Sequence, residues 1–226
     1  MERHLDQEEA DLKNTLLKMG ALVENAIFES VEALKELNSE RANDVISSDK
    51  LIDDLENEID ESCLELLALQ QPMAIDLRFI TMIMKITTDL ERIADLAVDI
   101  AQRVLELAGK PMLKPLIDIP KLTTLAKEMT KDALDAFINR DADLAGRVIL
   151  LDNEADRLRN LVQKELIEDY LSKDPSSASR AVPLLLIARH LERICDHATN
   201  IAEDVIYMFQ AKVVKHHPEK IKNTSI

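Results

Sequence analysis

The sequence predicts an all-α protein built as two tandem three-helix bundles, six long antiparallel helices in all, and three observations carry that expectation. Only 3 of the 226 residues are Gly, none is Trp, and aromatics make up 3%. This removes the turn formers and bulky strand residues on which β-rich folds depend. Helix breakers are sparse, so the segments between them are long. The chain also repeats itself at a spacing of about a hundred residues, the mark of a duplicated unit. With 46% apolar residues, a chain of this length can bury a sizeable core.

The elements follow from the breakers and caps. A first helix runs from about Asp6 to Leu37, and Asn38 with Ser39 caps a second that continues to about Gln70. Pro72 suits the first turn of a third helix, which stays periodic to about Leu107. Gly109, Pro111, Pro115 and Pro120 then form the clearest linker. A fourth helix reaches about Asn139, a fifth spans about Asp141 to Leu171, and Lys173 to Ser177 make a turn. The sixth carries Pro183 near its beginning and ends near Lys215. The expected organisation is a first bundle over 1–108, a Pro-rich linker over 109–120, a second bundle over 121–215, and a polar, frayed tail over 216–226.

The duplication is explicit in two segments. Residues 90–101, LERIADLAVDIA, align with 191–202, LERICDHATNIA, and eight of the twelve positions are identical. Residues 45–55 match 148–158 at an offset two residues larger, the difference falling at the turn between the second and third helices of each half. Within the third helix Ile83, Ile86, Leu90, Ile93, Ala97, Ile100 and Val104 step by three and four, and Leu184, Ile187, Leu191, Ile194, Ala198, Ile201 and Val205 repeat this in the sixth. That is a heptad seam, suited to antiparallel bundle packing.

Charge narrows the function. Against 43 acidic residues stand 28 Lys and Arg, a net charge of −15, which disfavours nucleic acid and anionic membrane surfaces and favours cations or basic protein surfaces. Cys63 and Cys195 sit at apolar helical positions and read as buried thiols, not a disulfide or zinc framework. The N-terminus lacks an apolar signal region, and no apolar run approaches the roughly 18 residues of a membrane span. A cytoplasmic protein that meets membranes only through partners is expected.

The chemistry lies in carboxylates. Glu91, Asp95 and Asp99 form an i, i+4, i+8 stripe turned away from the seam. Asp49 and Asp53 supply a second pair on the preceding helix, and the other half repeats both as Asp152 with Asp156 and Glu192 with Asp196. Two such pairs side by side make an oxygen-rich pocket for hard or borderline cations. The plain alternative is a solvated acidic face, against which stands the recurrence of the pairs in both halves. Arg92 and Arg193, each following the first acid, read as salt bridges that hold the acids in place, with an anion contact as the alternative. His190 and His197 read as surface histidines, with a ligand unique to one half as the alternative, and Met73, Met82 and Met84 as core filler. No Glu-x-x-His pair, Gly-rich phosphate loop, nucleophile elbow or Ser/His/Asp arrangement is present.

Residues 72–79, PMAIDLRF, followed by 90–95, LERIAD, and by 190–196, HLERICD, resemble the PhoU family of phosphate-signalling regulators from end to end. The resemblance implies two similar three-helix bundles with metal clusters, often iron, with Mn, Zn or Mg as other candidates, on Glu/Asp-x-x-x-Asp motifs. Those motifs fall on Asp49/Asp53 with Glu91/Asp95 and on Asp152/Asp156 with Glu192/Asp196. Asn200 stands where Asp99 stands in the first copy, so a second cluster would hold fewer or weaker-bound metals. The resemblance further implies a non-enzymatic negative regulator of the phosphate-starvation response, acting through a phosphate ABC transporter and a sensor histidine kinase, without direct nucleic-acid contact and as a homodimer. The alternatives are a carboxylate-bridged metalloenzyme, such as a phosphatase or oxidase, and a metal-free helical scaffold.

Overall fold

The computed structural model describes residues 4–210. Within them six α-helices follow one another without a strand: α1 His4–Glu36, α2 Ser39–Gln70, α3 Ile75–Leu107, α4 Asp118–Asn139, α5 Ala142–Glu165 and α6 Ala178–Gln210. In each half the first two helices are joined by the same tight turn. Leu37 and Arg140 adopt left-handed backbone (φ 51° and 58°), and the next residue, Asn38 or Asp141, caps the following helix through its side chain. The amides of those caps return to Ala33 and Ala136 at 2.9 Å in both cases. The duplication therefore extends to turn geometry.

Where the halves differ, the local chemistry accounts for it. Pro72 does not open α3. Gln71 is left-handed and Ala74 has φ 52°, so an irregular turn delays the helix to Ile75. Pro120 falls inside the first turn of α4, which needs no amide donor there. The end of the fifth helix widens into a π-helical turn, Leu166–Leu171, followed by a 3₁₀ turn, Pro175–Ser177, that leads into α6. The residues expected to finish the sixth helix beyond Gln210, and the polar tail, lie outside the described residues.

Both predicted seams are buried, each of their residues being fully enclosed. They are buried, however, in one continuous core. The α1, α2 and α3 helices pack together, α4, α5 and α6 do likewise, and α1 meets α4 while α3 meets α6 across the halves. Lys85, early in α3, meets Asp204, late in α6 (2.7 Å), whereas Asp99 meets His190 at the opposite end. The two helices therefore run antiparallel, and the repeat-equivalent Ala94 and Cys195, both buried, fall midway between these pairs. Stacked Phe79 and Phe137 rings, 5.4 Å apart, tie the start of α3 to the end of α4. Gly20 of α1 lies against Leu134 of α4, where any Cβ would overlap the leucine Cδ1. The linker is anchored by Lys114, whose buried ammonium pairs with Glu165 at the end of α5.

Candidate metal centres

The flanking helices α2 and α5 each lie beside the third helix of their half, and this pairing sets carboxylates facing one another. In the first half Asp49 and Asp53 project from α2 toward Glu91 and Asp95 of α3. Burial, and next the charges of Asp53 and Asp95, push Asp49 up to about 6 from an ordinary 3.8. Glu91 is raised by burial and by Asp95, with Arg92 opposing, and Glu56 and Asp53 add further repulsion. Glu56 is itself raised by burial, then by Asp60 and Asp53, with Asp95 adding to them. It is a fifth member of the group. Its signal in the sequence was its place seven residues after Asp49, two helical turns along the same face.

In the second half Asp152 is raised by burial, then by Asp156 and Glu192, while the Thr199 hydroxyl opposes the shift. Asp196 is pushed up to about 6 by burial, then by Glu192, Asp152 and Asp156. The position equivalent to Glu56 is Arg159, and its guanidinium reaches Glu192 at 3.0 Å and Asp156 at 3.3 Å. In the first half the corresponding bridge comes from Arg92, at 3.0 Å from Asp95 and 3.4 Å from Glu91. Among the described residues Arg193 makes no such ion pair, and Arg159 bridges the acids instead.

Two expected members stand apart. Asp99 faces His190 Nδ1 across the α3–α6 contact at 3.6 Å, and Asn200 enters none of the hydrogen bonds or ion pairs of the second group among the described residues. The histidines are not surface residues. His190 and His197 are half-buried between α3 and α6, His197 lying 2.8 Å from Asp89, because the cross-half packing covers a helix face that a separate bundle would expose. Met82 is buried, as expected of filler, but Met73 is 80% exposed on the irregular turn before α3. Cys63 and Cys195 are buried and free, and burial drives both thiols upward, Cys63 to about 12.

Both groups are all-oxygen donor sets of the kind that suits hard or borderline cations, and their mutual repulsion is relieved by positive charge. Among the described residues no three Asp, Glu, His or Cys side chains stand close enough together to hold one metal ion. Arginines hold the positive charge at these positions.

A PhoU domain profile matches residues 16–104 and 119–205, one copy on each half. The chain belongs to the PhoU family. Among its relatives, the "phosphate-specific transport system accessory protein PhoU homolog" of Aquifex aeolicus is 43% identical over 218 residues, covering 96% of this chain and 98% of that one. The Pseudomonas putida protein of the same description is 39% identical, covering 95% and 84%. Among solved structures, PhoU from Pseudomonas aeruginosa superposes with a TM-score of 0.88 at 38% identity, covering 92% of this chain and all of that one. The "phosphate transport system regulatory protein PhoU" of Streptococcus pneumoniae gives 0.86 at 31% identity, covering 94% and 100%. The segment between the two PhoU copies, 105–118, contains Gly109, Pro111 and Pro115, while Pro120 falls within the second copy. No helix among the described residues is long and apolar enough to cross a membrane.

Proposed function

We propose that this chain is a non-enzymatic regulator of phosphate uptake and phosphate homeostasis. It restrains the phosphate-starvation response by contacting a phosphate ABC transporter and a sensor histidine kinase at the cytoplasmic face, and it works as a homodimer. The observation that supports this most directly is the end-to-end similarity to proteins described as accessory and regulatory components of phosphate transport. The negative charge agrees with basic protein partners and with the absence of a nucleic-acid role.

In the same reading, Asp49, Asp53, Glu56, Glu91 and Asp95 hold cations in the first half, and Asp152, Asp156, Glu192 and Asp196 in the second, with iron as the leading candidate and Mn, Zn or Mg as others. A bound cation would supply positive charge that offsets carboxylate repulsion and fastens the flanking helix to the third helix of its half. The chain's own part is to keep the carboxylates on rigid neighbouring helices and to neutralise them with Arg92 and Arg159 in the cation's absence.

Deletion of the gene in its host, read with a reporter of phosphate-starvation transcription, tests the regulatory role. Constitutive reporter activity in phosphate-replete medium is expected, together with retention of transporter and kinase on the tagged wild-type protein. A reporter that still responds normally to phosphate overturns the proposal.

A further inference from the structure

The α5–α6 side of the second half carries a groove of about 630 Å³ that starts at Glu192 and Asp196 of the second carboxylate group and runs beyond them. One end is lined by Arg159, Arg189 and Arg193 together with Glu192 and Asp196, the other by Ile167, Leu185 and Leu186; Arg159 is already paired with Glu192, which leaves Arg189 and Arg193 as the open cations. The apolar end exists because the π-helical turn departs from the buried stripe of α5, leaving Ile167 40% exposed. Val182, 45% exposed, extends the stripe Leu186, Arg189, Arg193 toward the beginning of α6. Arg189 and Arg193 are exposed, and neither has an ion-pair partner among the described residues.

The other half is an internal control. At the equivalent positions of the same repeat stand Glu56 for Arg159, Asp60 for Gln163, Thr88 for Arg189 and Lys85 for Leu186. Arg193, Glu192 and Asp196 keep their counterparts Arg92, Glu91 and Asp95, so the second half differs in gaining Arg159 and Arg189, in losing the Asp60 charge and in carrying an aliphatic residue where Lys85 stands. In a chain of net charge −15 the unpaired Arg189 and Arg193, next to the apolar end of the groove, favour an anionic occupant there.

We propose that this groove docks an acidic amphipathic helix of a partner protein, with the partner's apolar side on Ile167, Leu185 and Leu186 and its carboxylates on Arg189 and Arg193. The inference rests on the adaptor reading above, to which it adds the chemistry of one contact. A concave strip between two helices matches an amphipathic helix laid along it, and arginine beside aliphatic side chains is the composition of protein interfaces. Inorganic phosphate would satisfy the arginines and leave the apolar half in water. The chain's own C-terminal segment has the wrong sign, with Lys212, Lys215, Lys220 and Lys222 against Glu219 alone.

The test uses the full chain and a fluorescein-labelled, hydrocarbon-stapled helix of leucine and glutamate, with leucines at i, i+3, i+4 and i+7. Saturable anisotropy is expected at low salt, weakening as salt rises. Binding should fall roughly tenfold or more in Arg189→Glu/Arg193→Glu and also weaken in Leu186→Lys, while Thr88→Glu leaves it unchanged. A lysine-for-glutamate peptide should not bind. Arg189→Thr, which reproduces the first half, takes the place of the double variant if circular dichroism shows that variant unfolded. Absence of binding, binding indifferent to the arginine variants, or displacement of the peptide by millimolar phosphate or phosphatidylglycerol vesicles overturns the assignment. In pull-downs, wild type and Arg189→Glu/Arg193→Glu retaining the transporter equally overturns the groove alone. A wild type that retains neither transporter nor kinase overturns the adaptor reading, and the peptide measurements still decide the groove.

Discussion

Asp49 and Asp196 are the residues in which the electrostatics of each half is most concentrated, both pushed up to about 6 from 3.8 by burial and neighbouring carboxylates. A carboxyl whose folded value is raised contributes stability that is fully present below its unfolded value and is lost as pH rises through the folded one. These two groups therefore make the protein more stable at pH 4 than at pH 7. Asp49→Asn and Asp196→Asn should flatten the dependence of Tm on pH between about 4 and 6 and raise Tm at pH 7. Each effect should stay below ~1 kcal/mol, since both groups are substantially solvated. Thermal melts across that range check it, and a Tm at pH 7 lowered by either change contradicts the repulsion described here. Protons and cations compete for the same oxygens, so metal uptake should rise over the same interval. Asp95→Asn should lower metal content attributable to the first half and Asp196→Asn that of the second, independently, as read by mass spectrometry of stoichiometry. Unchanged stoichiometry in the double variant would return these acids to a solvated face.

Two contacts between elements carry much of the register of the fold. At the α1–α4 crossing Gly20 is required by close approach, since a side chain there meets Leu134, which is itself buried. Gly20→Ala gains helix propensity and can be absorbed by a shift of the leucine tip, so it should be near neutral. Gly20→Val cannot be absorbed in this way and should cost about 1–3 kcal/mol in urea unfolding. At the linker, Lys114 is 6% exposed and depends on Glu165. Glu165→Ala leaves a buried ammonium without its partner and should destabilise the protein by ~1–3 kcal/mol, whereas the paired change Lys114→Met/Glu165→Leu should recover most of that loss. Equal destabilisation of the single and paired variants would show that the ion pair is not what anchors the segment.

At the scale of the whole molecule, the two halves are a duplication in sequence and one body in packing. The faces by which α1 and α3 meet α4 and α6 are apolar, and they are enclosed only when both halves are present. Residues 1–108 or 109–226 produced alone should therefore aggregate or self-associate, while co-expression of the two pieces should reconstitute a helical complex. Sedimentation velocity and circular dichroism distinguish these outcomes, and a monomeric, cooperatively folded half would show that each bundle is self-sufficient.

Periodicity along a helix determined most of the fold. The seams of α3 and α6 are legible because buried residues must recur every three or four positions. The first αα turn was placed by Asn38, whose side chain caps the helix it precedes, and the structure shows Asp141 in the same role in the second half. The carboxylate pairs were legible for the same reason, being set by spacing within single helices and repeated in both halves. What lies across helices was not. Glu56 joins its group, Arg159 replaces it in the other, and Asp99 turns to His190, all through the relative placement of neighbouring helices. The fusion of two bundles into one core escaped the sequence as well, because a heptad pattern states that a face is covered without stating by what. That His190 and His197 are half-buried, and that an arginine-lined groove opens beside the π-helical turn, were decided only when α6 packed against both α3 and α5.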